Sequence, residues 1–226
     1  MAHLDSIDLK AEESISVEQQ NLSRKDPIFI DPESLNIRYT LIDSIGALEK
    51  SINVFDLKWS KALQKRRSSV LEKLMILLSR SGDGYLYFLF GMVVMLVDLD
   101  LGLTLSYVAL TAFAIQIPVQ KLLKKTLKRE RPFSSGNGIN RLILPPDLYS
   151  FPSGHTAGAA VMAVVTPIVF GANLMGVYAA LILALWAVGV GISRIYNGVH
   201  YTSDVIAGAV LGIISALISV AIHGQF

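Results

Sequence analysis

Three short patterns carry residue types that handle phosphate: Lys124 followed after six residues by Arg131-Pro132; Tyr149-Ser-Phe-Pro-Ser-Gly-His155-Thr156; and Ser193-Arg194, five residues, His200, three residues, Asp204. Lys124, Arg131 and Arg194 are three fixed positive charges, and the two guanidiniums can grip a tetrahedral oxyanion with paired donors. Ser153 and Gly154 precede a helix expected to open near His155. The free amides and positive dipole end of such a helix form an anion seat, and glycine lets the anion approach closely. Both features match phosphate.

His200 and Asp204 stand at i and i+4, so a helical stretch would put them on one face with the carboxylate accepting from one ring nitrogen. The other nitrogen is then free to attack phosphorus and form a phosphohistidine, which splits hydrolysis into two displacements. His155 is the expected acid, protonating the departing oxygen and then activating water as a base. Charge on the equatorial oxygens would be met by Lys124, Arg131, Arg194 and the amides of Ser153 and Gly154. No metal is needed. Two histidines and a carboxylate could hold zinc, but three cations in the same pocket would repel a divalent ion. The absence of cysteine excludes thiolate nucleophiles, Cys-ligated zinc and disulfide scaffolds. Taken singly, His200 reads as a satisfied polar residue, Pro-Ser-Gly-His as a turn and cap, and Arg131-Pro132 as a loop entry. Their joint occurrence is what is specific.

The elements that must position these residues are apolar. Of 226 residues, 52% are hydrophobic and 17% charged, and the mean hydropathy is +0.51. Residues 1–83 hold 12 basic and 13 acidic side chains, leaving eight and five for the rest of the chain. Residues 85–97, 101–119, 157–175, 176–192 and 205–222 are apolar runs, several close to the roughly 20 residues that cross about 30 Å of hydrocarbon. The first is the shortest. Backbone groups in lipid must be satisfied within their own segment, so these runs are helices, and Gly and Ala allow close packing between them. The expected fold is all-α, an integral membrane bundle of about five spanning helices. It divides into a polar flexible tail (1–40), amphipathic interfacial helices (41–83) and a membrane-embedded domain (84–226). In the second part Ile42, Ile45, Leu48, Ile52 and Phe55 recur at helical spacing, Trp59 is expected at headgroup level, and Lys65, Arg66 and Arg67 are expected to face anionic lipid. Nucleic acid is excluded as a partner, because basic residues are not interleaved with aromatics on any polar segment.

Beyond residue 83 every basic residue lies in 121–141 or at Arg194, while the connections around 98–102 and 172–176 have none. Alternating helices therefore place all of them on one membrane side, together with the cluster at 58–80. The positive-inside rule makes that side cytosolic. The residues after Met1 show no basic stretch followed by an apolar one, so the N-terminus is expected in the cytosol as well. Histidine and aspartate at a helix mouth are costly if unpaired, and polar residues converging at one depth mark a site.

The three patterns, in this order, resemble the tripartite signature of the type 2 phosphatidic acid phosphatase family, whose superfamily also includes vanadium haloperoxidases and soluble bacterial acid phosphatases. The resemblance covers about residues 82–222, with every motif position filled: Lys124, Arg131, Pro132, Pro152, Ser153, Gly154, His155, Ser193, Arg194, His200 and Asp204. It implies His200 as nucleophile, Asp204 as its orienter, His155 as acid and base, and the rest as phosphate ligands without a cofactor. It also implies a lipid monophosphate or isoprenoid diphosphate as substrate, with the bilayer as the other partner. The soluble branches lack spanning runs. The chain departs from the common six-span pattern at its front, where charged residues 36–83 offer no first span. Six-span bacterial relatives place the catalytic face outside, whereas the charge bias here places it in the cytosol. The linker 133–150, with an apolar patch from Leu142 to Leu144, reads equally as a lid, a tail guide or a plain connection. The leading expectation is a metal-independent lipid phosphatase. The alternatives are lipid-to-lipid phosphotransfer, a silent multipass scaffold and a transporter of anionic lipid.

Overall fold

A computed structural model describes residues 32–224, with side chains from residue 47 onward. The expected tail lies outside these up to residue 31. The chain divides into two compact units, residues 1–50 and 51–226, and every contact described below lies within the second. The helices are α1 (Pro32–Gln64), α2 (Ser69–Arg80), α3 (Gly84–Val97), α4 (Leu99–Leu127), α5 (Gly154–Phe170), α6 (Leu174–Tyr196) and α7 (Thr202–His223). Helix α1 starts at Pro32, a residue suited to a first helical position, so 32–40 are helical rather than part of the tail.

All five apolar runs are helices. Helices α4, α6 and α7 are each long and apolar enough to cross a membrane, while α3 and α5 are shorter. Asp98 explains the first break: it ends α3 and then caps α4, its carboxylate accepting from the Leu101 amide at 3.0 Å. The run read as 157–175 stops at Phe170, because Gly171 leaves the helix and Asn173 caps α6 through the Gly176 amide at 3.0 Å.

Helix α5 is apolar on all sides and packs against α4, α6 and α7, burying residues such as Ala157, Val161, Val165 and Val169. Its shortness fits this place at the centre of the bundle. The outer faces of α6 and α7 leave Leu181, Leu185, Val188, Ile206 and Ile213 exposed, the side chains a bilayer would cover. Helix α7 approaches α5 with glycines: a Cβ at Gly208 would lie 2.4 Å from the Ser153 carbonyl oxygen, and one at Gly212 2.2 Å from that of Ala157. Only hydrogen at these positions lets the N-terminal ends of α5 and α7 meet.

Helix α2 packs on α6. Within residues 47–64, helix α1 buries the polar Asp56 and Ser60 and leaves the apolar Phe55 and Trp59 exposed.

Candidate active site

Four separate segments deliver the residues singled out above. The last turns of α4 carry Lys124, the following loop carries Arg131, the start of α5 carries Gly154 and His155, and the end of α6 with the turn after it carries Arg194 and His200. All six line one cavity of about 450 Å³. The turn between Arg194 and His200 depends on Gly198, whose φ of +73° favours glycine and whose missing Cβ would sit 2.4 Å from the Asn140 carbonyl oxygen.

His200 lies before α7, not within it, so the helical i, i+4 rationale does not hold. Asp204 is instead in the first turn of α7 and accepts from the Tyr201 amide at 2.8 Å, which folds the chain back and brings its Oδ2 to 3.6 Å from His200 Nδ1. The other ring nitrogen, Nε2, lies 3.4 Å from the Arg131 guanidinium. Burial, opposed by Asp204 and reinforced by Arg194, depresses the His200 pKa to about 3. The ring is therefore neutral at ordinary pH, the form in which Nε2 keeps its lone pair.

Arg131 is held by three donations, to the carbonyls of Val199 at 2.7 Å and Asp147 at 3.1 Å and to the Asp147 carboxylate at 2.5 Å. Lys124 donates to the same Asp147 oxygen at 3.1 Å and to the Tyr149 carbonyl at 2.9 Å. Burial pushes the Asp147 carboxyl up, but Lys124 and Arg131 outweigh it and hold it below its usual range. Burial lowers the Arg131 pKa despite that carboxylate. A carboxylate from the 133–150 linker thus bridges two of the three cations expected to hold phosphate. The third, Arg194, donates to Ser79 of α2 at 2.6 Å. His155 Nε2 lies 2.8 Å from an oxygen of Asp83.

Ser153 differs from the expectation. It is buried, its hydroxyl pairs with Thr156 at 2.9 Å, and its amide donates to the Asp204 carbonyl at 3.0 Å. This locks α5 to α7 and leaves the amides of Gly154 and His155 as the donors at the helix mouth. Asp204 and Ser153 both stand behind the cavity wall rather than on it.

Several cavity residues carried no signature in the sequence. Asp83 and Asp147 line it, as do Gln116 and Gln120, which stand two turns and one turn before Lys124, respectively, on the same stripe of α4. Gln116 is buried and donates to Gln120 at 2.6 Å. Two amides on an apolar helix are a signal that could have been read. Beyond them the cavity shares Gly84, Tyr87, Leu110 and Phe113 with an apolar groove of about 370 Å³ between α3 and α4, lined further by Phe88, Met92 and Met95. On the other side of His155 and Arg194 lies a more polar cavity of about 620 Å³, walled by Arg80 and the linker from Leu142 to Pro146. The linker patch therefore forms a wall of the site. Among the described residues no three His, Asp, Glu or Cys side chains come together as metal ligands.

The bacitracin transport permease protein BcrC of Bacillus licheniformis is 36% identical over 109 residues, which are 48% of this chain and 51% of that protein. The undecaprenyl-diphosphatase of Sulfolobus acidocaldarius is 29% identical over 175 residues, 75% of this chain and 79% of its own. The chain thus spans about half the length of the first relative and most of the second. In fold, it superimposes on the crystal structure of the first transmembrane PAP2 type phosphatidylglycerolphosphate phosphatase from Bacillus subtilis with a TM-score of 0.65 at 24% identity, covering 85% of this chain and 95% of that one. The PAP2 superfamily model matches residues 102–226, a stretch that contains all three phosphate-handling patterns, and on that match this integral membrane chain belongs to the PAP2 superfamily.

Proposed function

We propose that the protein is a lipid phosphatase that removes phosphate from a lipid monophosphate or an isoprenyl diphosphate through a phosphohistidine at His200. The observation that carries this reading is the meeting of a neutral His200 and of His155 in one cavity with Lys124, Arg131 and Arg194. His200 Nε2 attacks phosphorus, the N–P bond forms, and the P–O bond to the lipid breaks as His155 gives its proton to the leaving oxygen. His155 then takes a proton from water, the hydroxide oxygen bonds to phosphorus, and His200 is released with inorganic phosphate. Asp204 holds the ring and stabilises its cationic form, while Lys124, Arg131, Arg194 and the Gly154 amide meet the equatorial oxygens. Ser153 contributes by fixing α5 against α7. The groove between α3 and α4 supports a substrate whose tail stays in lipid, and the undecaprenyl-diphosphatase relative favours an isoprenyl diphosphate.

The test is inorganic phosphate release by detergent-purified protein from isoprenyl diphosphates, phosphatidate and phosphatidylglycerol phosphate, with EDTA present and His200→Ala alongside. Release that survives EDTA and is lost in the variant is the expected result; release that needs a divalent metal, or persists in His200→Ala, refutes the mechanism.

The catalytic face is proposed to be cytosolic, with α1 and α2 lying at the interface through exposed Phe55, Trp59 and Leu74. A cysteine placed in residues 1–30 should resist an impermeant maleimide on intact cells, and its labelling would reverse the orientation.

A further inference from the structure

Arg129 was legible only as one more basic residue marking a membrane side, and Asp56 only as a charge on an interfacial helix. The structure joins them directly to the nucleophile's partner. Arg129 donates to Asp204 Oδ1 at 2.6 Å, to the Ser203 hydroxyl at 2.6 Å and to Asp56 Oδ2 at 2.7 Å, with its guanidinium 4.4 Å above the Tyr201 ring. Asp56 is fully buried and accepts from the Ser203 amide at 2.8 Å and the Ser203 hydroxyl at 2.5 Å. A carboxylate from α1 therefore stands at the N-terminus of α7, where the helix dipole favours negative charge. Two buried carboxylates share a single cation, which only the planar fork of an arginine can span.

The consequence falls on Asp204. Its Oδ2 accepts from the Tyr201 amide and faces His200, while its Oδ1 is held by Arg129. Without Arg129 the carboxylate would keep one anchor and could turn about it, carrying the His200 ring with it. We propose that Asp56 and Arg129 are a positioning pair that fixes the Asp204 carboxylate against His200, so that α1 is a working part of the catalytic apparatus and not a separable anchor. The proposal rests on the phosphohistidine reading above. It adds two residues, one of them in the front segment that lies outside the matched family region.

Because neither residue lines the cavity, the pair should affect turnover and spare phosphate binding. Asp56→Asn keeps an acceptor for the Ser203 amide while removing the charge that clamps Arg129; Arg129→Lys keeps the charge but cannot bridge both carboxylates. Each is expected to lower kcat by about tenfold or more, since a misplacement of about 1 Å at a reacting group costs on the order of a hundredfold. KM and the inhibition constant of inorganic phosphate should stay within about twofold of the parent. The decisive reading is a double-mutant cycle, with phosphate release measured from radiolabelled substrate. If Asp56 acts through Asp204, Asp56→Asn introduced into Asp204→Asn should change kcat by less than about twofold, because residues serving one interaction are not additive. Full additivity, an unchanged kcat in the single variants, or a phosphate inhibition constant that weakens in step with kcat would overturn the assignment. Should Asp56→Asn fail to fold, Arg129→Lys runs the same cycle. A parent protein that releases no phosphate refutes the phosphatase reading itself, whereas an active parent with an additive cycle refutes only the role of Asp56 and Arg129.

Discussion

Asp147 bridges two of the cations proposed to hold the substrate phosphate. One of its carboxylate oxygens lies 3.1 Å from Lys124 Nζ and 2.5 Å from an Arg131 nitrogen, so it competes for both cations with the phosphate they are proposed to hold. Replacing Asp147 by Asn keeps the volume and removes the competing charge. Two charge-assisted contacts in a buried setting would contribute about 1.5–3 kcal/mol each, but the Asp147 side chain is 43% exposed, where ion pairs give roughly 0–1 kcal/mol. An intermediate total of about 1–2 kcal/mol corresponds to a factor of about 5–30. Asp147→Asn should therefore bind inorganic phosphate about 5–30 times more tightly than the parent, read as the product inhibition constant or by titration calorimetry. The sign is the sharp part of this prediction. If Asp147 serves instead to hold Lys124 and Arg131 in position for the substrate, its removal weakens phosphate binding, and an inhibition constant that is unchanged or raised refutes the competition.

Asp83 lies 2.8 Å from His155 Nε2 and orients the ring, so Asp83→Asn should lower kcat about tenfold or more on a lipid phosphate, whose leaving group needs a proton. It should have a smaller effect on an aryl phosphate, whose leaving group does not; equal losses on both would place Asp83 outside proton transfer. His200 gives a pH prediction: its pKa of about 3 in the folded state lies below the ordinary value near 6.5. The unfolded chain therefore takes up a proton first as pH falls, and the stabilisation present above about 6.5 is lost progressively down to about 3, by about 2 kcal/mol at pH 5. Unfolding in detergent at pH 7.5 and 5 should show the parent losing that much more stability than His200→Gln, and parallel losses would contradict the depressed pKa.

The signature side chains were legible because each pattern is short and its charges stand out in an apolar half. His155, Arg194 and His200 could be placed on one membrane side by counting helices, and the helices themselves by counting apolar residues. The partners that complete the site are another matter. Asp83 meets His155 across 72 positions, Asp56 meets Arg129 across 73, and Arg129 meets Asp204 across 75. An ion pair between distant segments leaves no period in the sequence and depends on the fold that brings it together. Local backbone detail was equally hidden: the Ser153 amide is taken by the Asp204 carbonyl only because Gly208 and Gly212 let α7 touch α5.

The inward side of the front helix shows a more general limit of periodicity. Apolar residues at helical spacing show that a helix has an apolar side, but in a bilayer protein both the protein interior and the lipid accept that side, so periodicity does not say which one it meets. Polar residues carry the missing information, because a buried carboxylate without a partner is costly. Within residues 47–64 of α1, Asp56 and Ser60 are buried while Phe55 and Trp59 stay outside. The five acidic residues after position 83 follow the same logic: Asp98 caps α4, Asp147 and Asp204 hold cations of the site, and Asp100 and Glu130 are exposed. Asp147 lies within reach of the basic residues of 121–141 in the sequence itself, but Asp56 has Lys58, Lys61 and the basic run 65–67 far nearer than Arg129, so only the fold selects its partner.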